Sequence, residues 1–204
     1  MSLQRLVLWR HGETDYNLAG RLQGHFDSSL TDNGHSQAAH AAPAVAAMEP
    51  AVAVSSDLQR ARSTAAAFTS VSAVPVPLDK RLRETHVGEW QGLSGAEIEH
   101  TWPGGMDAWR SDATWAPPGG ESRVEVAERA LSVVEELDHA QQGTALLCAH
   151  GGLITSLTAR LLELPVPLWP SLGGVGNCHW VVLTRRGGDD RTWRLTTYNH
   201  GVTS

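Results

Sequence analysis

Arginine and histidine residues follow three short apolar runs in this sequence, and each run is typical of a buried strand. Arg10 and His11 follow the first run, Arg60 lies shortly after the second, and His150 follows the third. The carboxyl ends of parallel strands meet at one edge of a sheet, so we expect these side chains to lie close together. Guanidinium groups bind phosphate oxygens in pairs, and a neutral imidazole is a nucleophile near pH 7. The pattern therefore predicts a pocket for phosphoryl transfer.

Glu84 is the acidic residue best placed for the proton transfer that this chemistry needs. A phosphoryl group demands positioning and charge neutralisation, and a departing alkoxide also needs a proton. Glu84 follows a predicted strand at 74–78. The alternative is that it pairs with Arg81 or Arg83. Two of the three segments described above also open helices, whose N-termini we expect to favour the bound anion.

Charge and cysteine content argue against several classes of protein. A formal net charge of -6 is unsuited to coating nucleic acid or anionic lipid, and no stretch approaches the length of a membrane span. Cys148 and Cys178 match no zinc or redox spacing, so we expect buried small hydrophobes and a reducing, cytoplasmic location. Because no histidine or carboxylate cluster has metal-ligand spacing, we expect no metal.

Alternating strand and helix patterns predict a three-layer α/β sandwich with a mostly parallel central sheet, helices on both faces and an antiparallel edge. We expect one domain over residues 1–204, with an irregular, substrate-covering excursion at about 92–121. Weak helical signals lie within this excursion at 94–100 and 107–110. The predicted strands are at 3–9, 51–55, 74–78, 144–149, 179–184 and 192–198, and the last two form a hairpin around a turn at 186–189.

Several local signals mark where helices begin. Thr31 has the character of an N-cap for a helix to about residue 48, and the stretches 56–59 and 122–125 fit capping boxes. A further helix is predicted at 151–164. The stretch 10–30 between the first strand and the first helix is a loop long enough to be functional.

Four motifs occur in order along nearly the whole chain. They are Arg-His-Gly-Glu-Thr at 10–14, Ser-Asp-Leu-Gln-Arg-Ala at 56–61, Arg-Glu at 83–84 with Gly-Glu-Trp-Gln-Gly at 88–92, and His-Gly-Gly at 150–152. Together they resemble the motif set of the histidine phosphatase superfamily, the phosphoglycerate-mutase-like proteins. Three letters such as Arg-His-Gly are weak evidence alone, but four motifs in order at predicted strand ends are specific.

The resemblance implies a role for each matching residue. His11 is the residue that becomes phosphorylated, Glu84 is the acid and base, and His150 completes the catalytic set as a phosphate ligand. Gln23 contacts the substrate beyond its phosphate. The substrate-binding residues are then Arg10, Asn17, Gln23, Gly24 and Arg60. The implied partner is a small phosphorylated metabolite, and no cofactor is implied.

Stretches at 81–93, 109–126 and 169–177 are similar to one group within this family, the glucosyl-3-phosphoglycerate phosphatases. That similarity implies the same ester as substrate, and a homodimer. The cofactor-dependent mutases carry Glu-Arg-His-Tyr-Gly where this chain has Glu-Thr-His-Val-Gly at 84–88, which argues against mutase activity. A mutase, a broad-specificity phosphomonoesterase and a non-catalytic phosphoester-binding module are the alternatives. Of the tryptophans, Trp109 and Trp115 are the ones expected near substrate.

Overall fold

Five strands form a mixed sheet in the computed structural model, which describes residues 2–185 and 192–202. The strands are β1 Leu3–Arg10, β2 Pro50–Ser55, β3 Gly143–Ala149, β4 Trp180–Arg185 and β5 Trp193–His200. They lie side by side in the order β2, β3, β1, β4, β5. The first strand is therefore the middle strand, and it ends beside β3, with Arg10 opposite Ala149.

The sheet is parallel on one side of β1 and antiparallel on the other. β3 pairs in parallel with β1 and β2 in parallel with β3, whereas β4 is antiparallel to β1 and β5 is antiparallel to β4. The predicted hairpin is present, but the predicted mostly parallel sheet is confirmed only in part, because two of the four strand pairs in the described sheet are antiparallel. The antiparallel part is wider than a single edge strand, because β4 also pairs with β1. The predicted hairpin turn at 186–189 lies outside the described residues.

Helices cover both faces of the sheet. They are α1 Asp15–Leu18, α2 Asp32–Ala46, α3 Gln59–Thr69, α4 Gly95–Thr101, α5 Gly105–Ser111, α6 Arg123–Ala140 and α7 Gly151–Leu161. Leu6 and Leu8 of β1 pack with α6 and α7, while Val7 and Trp9 pack with α2 and α3. This two-residue alternation is that of a strand buried on both faces, so the three-layer architecture is confirmed. Among the helices of the described residues, none is both long and apolar enough to cross a membrane.

Local capping interactions set the start of most helices. Thr31 accepts a hydrogen bond from Gly34 N, and Ser122 and Glu125 form a capping box at the start of α6, both as predicted. The capping box predicted at 56–59 is wrong: α3 begins after Leu58, which provides no side-chain cap. The hydroxyl of Ser56 accepts from Leu58 N at 3.3 Å and lies 2.8 Å from His150 Nε2, while Gln59 N, the donor that the capping box needs, donates to Asp27.

The strand predicted at 74–78 is also wrong. Only an isolated bridge joins Ser55 to Leu78, through hydrogen bonds from Ser55 N to Pro77 O and from Asp79 N to Ser55 O. Pro75 and Pro77 have no backbone N–H to donate, so this segment cannot continue a ladder of hydrogen bonds beside β2. It lies against the edge of the sheet and still delivers the chain to Glu84.

The excursion at 92–121 contains α4 and α5, close to the two predicted helical signals. It builds a small core of its own around Trp90, which is fully buried. The Trp90 ring lies 6.2 Å from Trp102, 6.0 Å from Trp109 and 5.4 Å from Trp115, measured between ring centroids. Burial of these large rings stabilises a segment that has no strand to anchor it.

Replacing Ser122 with Ala should lower the free energy of unfolding by about 1 kcal/mol, because the first N–H groups of α6 lose their acceptor. Urea denaturation at neutral pH measures the change. Ser36→Ala is the matched control: Ser36 is exposed within α2, where Ala is the better helix former, so it should not destabilise. Equal losses in the two variants would show that the capping box contributes nothing.

Candidate active site

Seven of the eight residues predicted for the site line one small pocket of about 150 Å³ at the carboxyl ends of β1 and β3. They are Arg10, His11, Asn17, Gln23, Gly24, Arg60 and Glu84. The eighth, His150, lies behind His11, with 5.2 Å between the two ring centroids. The sheet therefore brings together residues that are far apart in the sequence, as the strand-end argument predicts.

His11 is buried and held as a neutral imidazole in one tautomer. Its Nδ1 lies 2.7 Å from the carbonyl oxygen of Gly12, and because a carbonyl only accepts, Nδ1 carries the proton. The lone pair is then on Nε2. Burial, with the nearby charges of Arg60 and Arg10, holds the pKa of His11 well below its usual value of 6.5. A lone pair is therefore available at neutral pH on a residue that lines the pocket.

Arg60 is a buried guanidinium that organises the loop around the pocket. It donates to Phe26 O and Gly24 O, each at 2.8 Å, and to His150 Nδ1 at 3.2 Å. Burial lowers its pKa to about 10, so it stays charged at neutral pH. Only three of the five N–H bonds of the group are used, so the other two are available to an anion.

Arg10 carries a donor that the protein leaves unsatisfied. Its Nη1 donates to Val175 O at 2.5 Å, while its Nε is buried without a hydrogen-bond partner in the described residues. Burial lowers the pKa of Arg10, and the charge of Glu84 opposes that shift. A buried donor without a partner is costly unless a ligand occupies the site. Arg10 and Arg60 together therefore fit a phosphoryl group.

Both ring nitrogens of His150 are engaged by the protein. Nδ1 accepts from Arg60, which leaves the proton on Nε2, 2.8 Å from the hydroxyl of Ser56. Burial, with the charge of Arg60, holds the pKa of His150 well below 6.5. Its contact with Arg60 orients that guanidinium. In this arrangement His150 acts on the phosphate site through Arg60, because neither of its ring nitrogens has a free N–H for a ligand. Sequence reasoning did not find its partner Ser56 as a site residue.

The carboxylate of Glu84 occupies the N-terminus of α7. It accepts hydrogen bonds from the backbone N–H groups of Gly152 and Leu153, each at 3.0 Å, and of Thr85 at 2.8 Å. Asp27 likewise accepts from Gln59 N at the start of α3, at 2.5 Å. Carboxylates of the protein therefore take two of the first N–H groups of α7 and one of α3, so these donors are not free for the bound anion that was expected there. Arg10 and Arg60 remain as cations that line the pocket.

Arg129, a residue that sequence reasoning missed, fixes the backbone that carries Glu84. Its guanidinium donates to the carbonyl oxygens of Arg81 and Arg83 at 2.7 Å and of Glu84 at 2.8 Å, and it pairs with Glu121 at 2.9 Å. In the sequence it is one more polar residue of an amphipathic helix, so no local signal distinguishes it.

Glu84 forms no ion pair with Arg81 or Arg83, the two arginines that were its alternative partners in the sequence. Arg81 pairs with Asp79 and Glu136, and Arg83 pairs with Asp57. The carboxylate is therefore directed to the pocket and to the start of α7. Its position is explained by its backbone donors and not by surface electrostatics.

The loop residues are ordered by their neighbours. The Oδ1 of Asn17 accepts from Thr14 N and from Asn177 Nδ2, each at 3.1 Å, so its amide nitrogen is the end left for a ligand. Gln23 is nearly buried and accepts from the hydroxyl of Ser28. Gly24 has a φ of +54°, and a Cβ there would lie 2.6 Å from Gln91 Oε1, so glycine is required.

The two tryptophans expected near substrate are placed differently. Trp109 lines the pocket, together with Leu22 and Val87. Trp115 is not among the lining residues and packs on Trp90 in the core of the excursion. Large rings in irregular segments serve packing as readily as binding, and sequence alone does not separate the two uses.

A family comparison identifies the class of protein. The family model described as Histidine phosphatase superfamily (branch 1) matches residues 6–200. The chain therefore belongs to this superfamily, and the resemblance drawn from the four motifs is confirmed.

Particular relatives share almost the whole chain. It is 50% identical to the glucosyl-3-phosphoglycerate phosphatase of Mycolicibacterium vanbaalenii, over 98% of this chain and 96% of that one. It is 47% identical to the protein of the same name from Mycobacterium tuberculosis, with the same coverage of 98% and 96%. A solved structure of a mycobacterial glucosyl-3-phosphoglycerate phosphatase in complex with VO3 is 48% identical, with a TM-score of 0.90 over 96% of this chain and 98% of that one.

The buried histidines make stability dependent on pH. The pKa values of folded His11 and His150 lie below the unfolded value of 6.5, so below pH 6.5 the unfolded chain binds more protons and stability falls. Each histidine should contribute up to about 1.4 kcal/mol per pH unit in that window. Urea denaturation between pH 7.5 and 5.5 measures the slope.

His11→Asn and His150→Asn should each reduce this slope. Ser122→Ala, which keeps every histidine, should lower stability at all pH values and leave the slope unchanged. A slope in His11→Asn as steep as in the parent would contradict the burial of a neutral His11.

Proposed function

We propose that this protein is a phosphatase that hydrolyses a small phosphomonoester through a phosphohistidine at His11. The observation that carries the proposal is the fixed tautomer of His11: the hydrogen bond from Nδ1 to Gly12 O leaves a lone pair on Nε2 in a pocket with two buried guanidinium groups. An imidazole of this kind needs no metal to act as a nucleophile at neutral pH.

In the first half-reaction, Nε2 of His11 attacks phosphorus and the bond from phosphorus to the ester oxygen breaks. Arg10 and Arg60 bind the equatorial oxygens and neutralise the charge that develops on them. Glu84 gives its proton to the leaving alkoxide.

In the second half-reaction, water hydrolyses the phosphohistidine. The carboxylate of Glu84 takes a proton from the water, whose oxygen bonds to phosphorus as the bond to Nε2 breaks. Inorganic phosphate leaves, and His11 returns to its neutral form. Asn17 and His150 complete the phosphate site, His150 by orienting Arg60. The backbone held by Arg129 keeps Glu84 in place for both proton transfers.

The substrate that we propose is glucosyl-3-phosphoglycerate. The support is the shared name of two relatives that are 50% and 47% identical over 98% of this chain. The pocket is suited to an ester with an organic alcohol, because it is lined both by cations such as Arg10 and Arg60 and by the apolar side chains of Leu22, Val87 and Trp109. Gln23 and Gly24 line the same pocket. The alternative is a broad-specificity phosphomonoesterase. A screen of phosphorylated metabolites for released phosphate distinguishes the two.

Hydrolysis is proposed in preference to phosphoryl transfer between substrates. Thr85 stands where the resembling mutases have arginine, and its side chain lies 3.4 Å from Glu84 Oε1, so this position brings no cation to the pocket. The proposal also includes metal independence, a single domain, a cytoplasmic location and a homodimer. Metal independence is supported by the nature of the nucleophile, and the cytoplasmic location by two buried free cysteines.

If His11 is the nucleophile, rapid quench with ³²P-labelled substrate should trap an acid-labile, alkali-stable phosphoryl protein. Label should be absent from His11→Ala, which has no Nε2 to accept the phosphoryl group. Exhaustive chelation before the assay should leave turnover unchanged, since no step uses a metal. His35→Ala, which removes an exposed histidine of α2, is the matched control and should label as the parent does.

Two results would overturn this assignment. Label that persists in His11→Ala would place the phosphoryl group elsewhere. A loss of turnover on chelation that Mg²⁺ or Zn²⁺ restores would require a metal-dependent mechanism.

Glu84→Gln should slow phosphorylation of the protein by alkyl phosphates by about 10² to 10⁴-fold, the range typical of general acids. A nitrophenyl ester should lose far less, because nitrophenolate leaves without a proton. Damage to binding would affect both esters alike, so the ratio of the two losses isolates proton transfer. The comparison is made on kcat/KM or on the single-turnover burst, which report the first half-reaction.

Glu121→Gln is the control for this pair of measurements. Glu121 also accepts hydrogen bonds near the pocket, but its partners are Arg129 and His86 N. Its replacement should affect the two esters equally. Equal losses for both leaving groups in Glu84→Gln would restrict Glu84 to organising the pocket.

A further inference from the structure

A second cavity of about 370 Å³ adjoins the phosphate pocket. The two cavities have Thr85, Trp109 and Gly152 in common as lining residues. Arg110 and Arg123 line the second cavity but not the first. A ligand whose phosphoryl group lies on His11 therefore has a route past Trp109 to two further cations.

Arg123 occupies a position that is electrostatically unfavourable for a cation. It is the first residue of α6, where the helix dipole presents its positive end. It is half-buried, and burial and the charge of Arg110 lower its pKa, while the charge of Glu84 opposes that shift. It donates a hydrogen bond to Arg110 O at 3.3 Å and makes a cation–π contact, with Cζ 5.2 Å from the centroid of the Trp109 ring. No carboxylate of the described residues lies within 4.0 Å of its guanidinium.

Arg110 adds a second cation without a counter-ion. It lies in the last turn of α5 and is exposed, and the described residues offer its guanidinium no ion pair. Trp109, which lines both cavities, has a buried Nε1 donor without a hydrogen-bond partner among the described residues. Two cations at close quarters repel each other, and an unpaired buried donor costs free energy. Both costs are relieved by an anion in this cavity.

We propose that Arg123, with Arg110 beside it, binds a carboxylate of the substrate and so selects phosphomonoesters that carry a carboxylate close to the phosphoester. This inference rests on the proposed function and deepens it by naming the acidic group that the site recognises. The guanidinium fork matches the two oxygens of a carboxylate, and the cation–π contact with Trp109 helps to hold the guanidinium in place. Arg123 is thus a specificity-determining residue that acts beyond the phosphate.

Two matched esters test the inference. 3-Phosphoglycerate and glycerol 3-phosphate have the same three-carbon skeleton. They differ in one group, because glycerol 3-phosphate has a hydroxymethyl group where 3-phosphoglycerate has its carboxylate. The parent should have the higher kcat/KM for 3-phosphoglycerate. Arg123→Gln should lower that value by about tenfold or more, mainly through KM, because a charge-assisted hydrogen bond is lost. In the same variant, kcat/KM for glycerol 3-phosphate and for nitrophenyl phosphate should stay within about twofold of the parent value.

Two further variants define what Arg123 contributes. Arg123→Lys keeps the positive charge but not the forked donors of the guanidinium group. Its kcat/KM for 3-phosphoglycerate should therefore fall less than that of Arg123→Gln. Arg62→Gln, which removes an exposed arginine of α3 outside both cavities, should change neither ester. Circular dichroism and thermal unfolding check that α6 remains folded. Equal losses for both esters in Arg123→Gln, or no preference in the parent, would overturn the inference.

A binding measurement separates this inference from the proposed function. Calorimetric titration of His11→Ala with 3-phosphoglycerate and with glycerol 3-phosphate requires no turnover. Tighter binding of 3-phosphoglycerate that is lost in His11→Ala/Arg123→Gln would support the inference even if no ester were hydrolysed by the parent. Hydrolysis of both esters by the parent, with equal binding to His11→Ala, would retain the phosphatase and reject the carboxylate site.

Discussion

Two guanidinium groups lie largely buried at the end of the central strand, and much of the site is arranged to satisfy them. Removing a cation from water costs several kcal/mol unless hydrogen bonds replace the lost hydration. Arg60 obtains them from Gly24 O, Phe26 O and His150, and these contacts join the loop after β1 to the ends of α3 and β3. Arg10 is only partly satisfied, because its Nε has no partner. The remaining donors define the place of the phosphoryl group.

The same positive charge determines the protonation state of His11, the proposed nucleophile. A buried imidazole between two guanidinium groups is held neutral, and the carbonyl of Gly12 selects the tautomer that leaves Nε2 unprotonated. Glu84, the acidic residue of the pocket, is held by hydrogen bonds. Its carboxylate accepts from backbone N–H groups at the start of α7, and its backbone carbonyl accepts from Arg129. A neutral imidazole and a fixed carboxyl group therefore line one pocket, each held by hydrogen bonds to the backbone.

The sequence by itself determined the layers of the fold and the strand-end location of Arg10, His11, Arg60 and Glu84, which line the pocket. These follow from local physical rules, whereas Asn17, Gln23 and Gly24 were indicated by the resemblance to the family. Alternating apolar residues form a strand, and the order of strands and helices directs the ends of parallel strands to one edge. The starts of α2 and α6 were also predictable, because Thr31 and Ser122 cap N–H groups only three residues away. Local interactions of this kind are visible in the spacing of residue types.

Only the tertiary structure decided which partner each polar group takes. Ser56 contacts His150, 94 residues away, in addition to Leu58 N, and Glu84 takes backbone N–H groups at the N-terminus of α7, where an anion was expected. Arg129 reaches Glu84 O across 45 residues, with no signal in the helix around it. The physical reason is that a buried polar group must be hydrogen-bonded. Groups from several chain segments can provide that hydrogen bond. Tertiary packing decides which of them comes within reach, and the spacing of residues in the sequence does not show this.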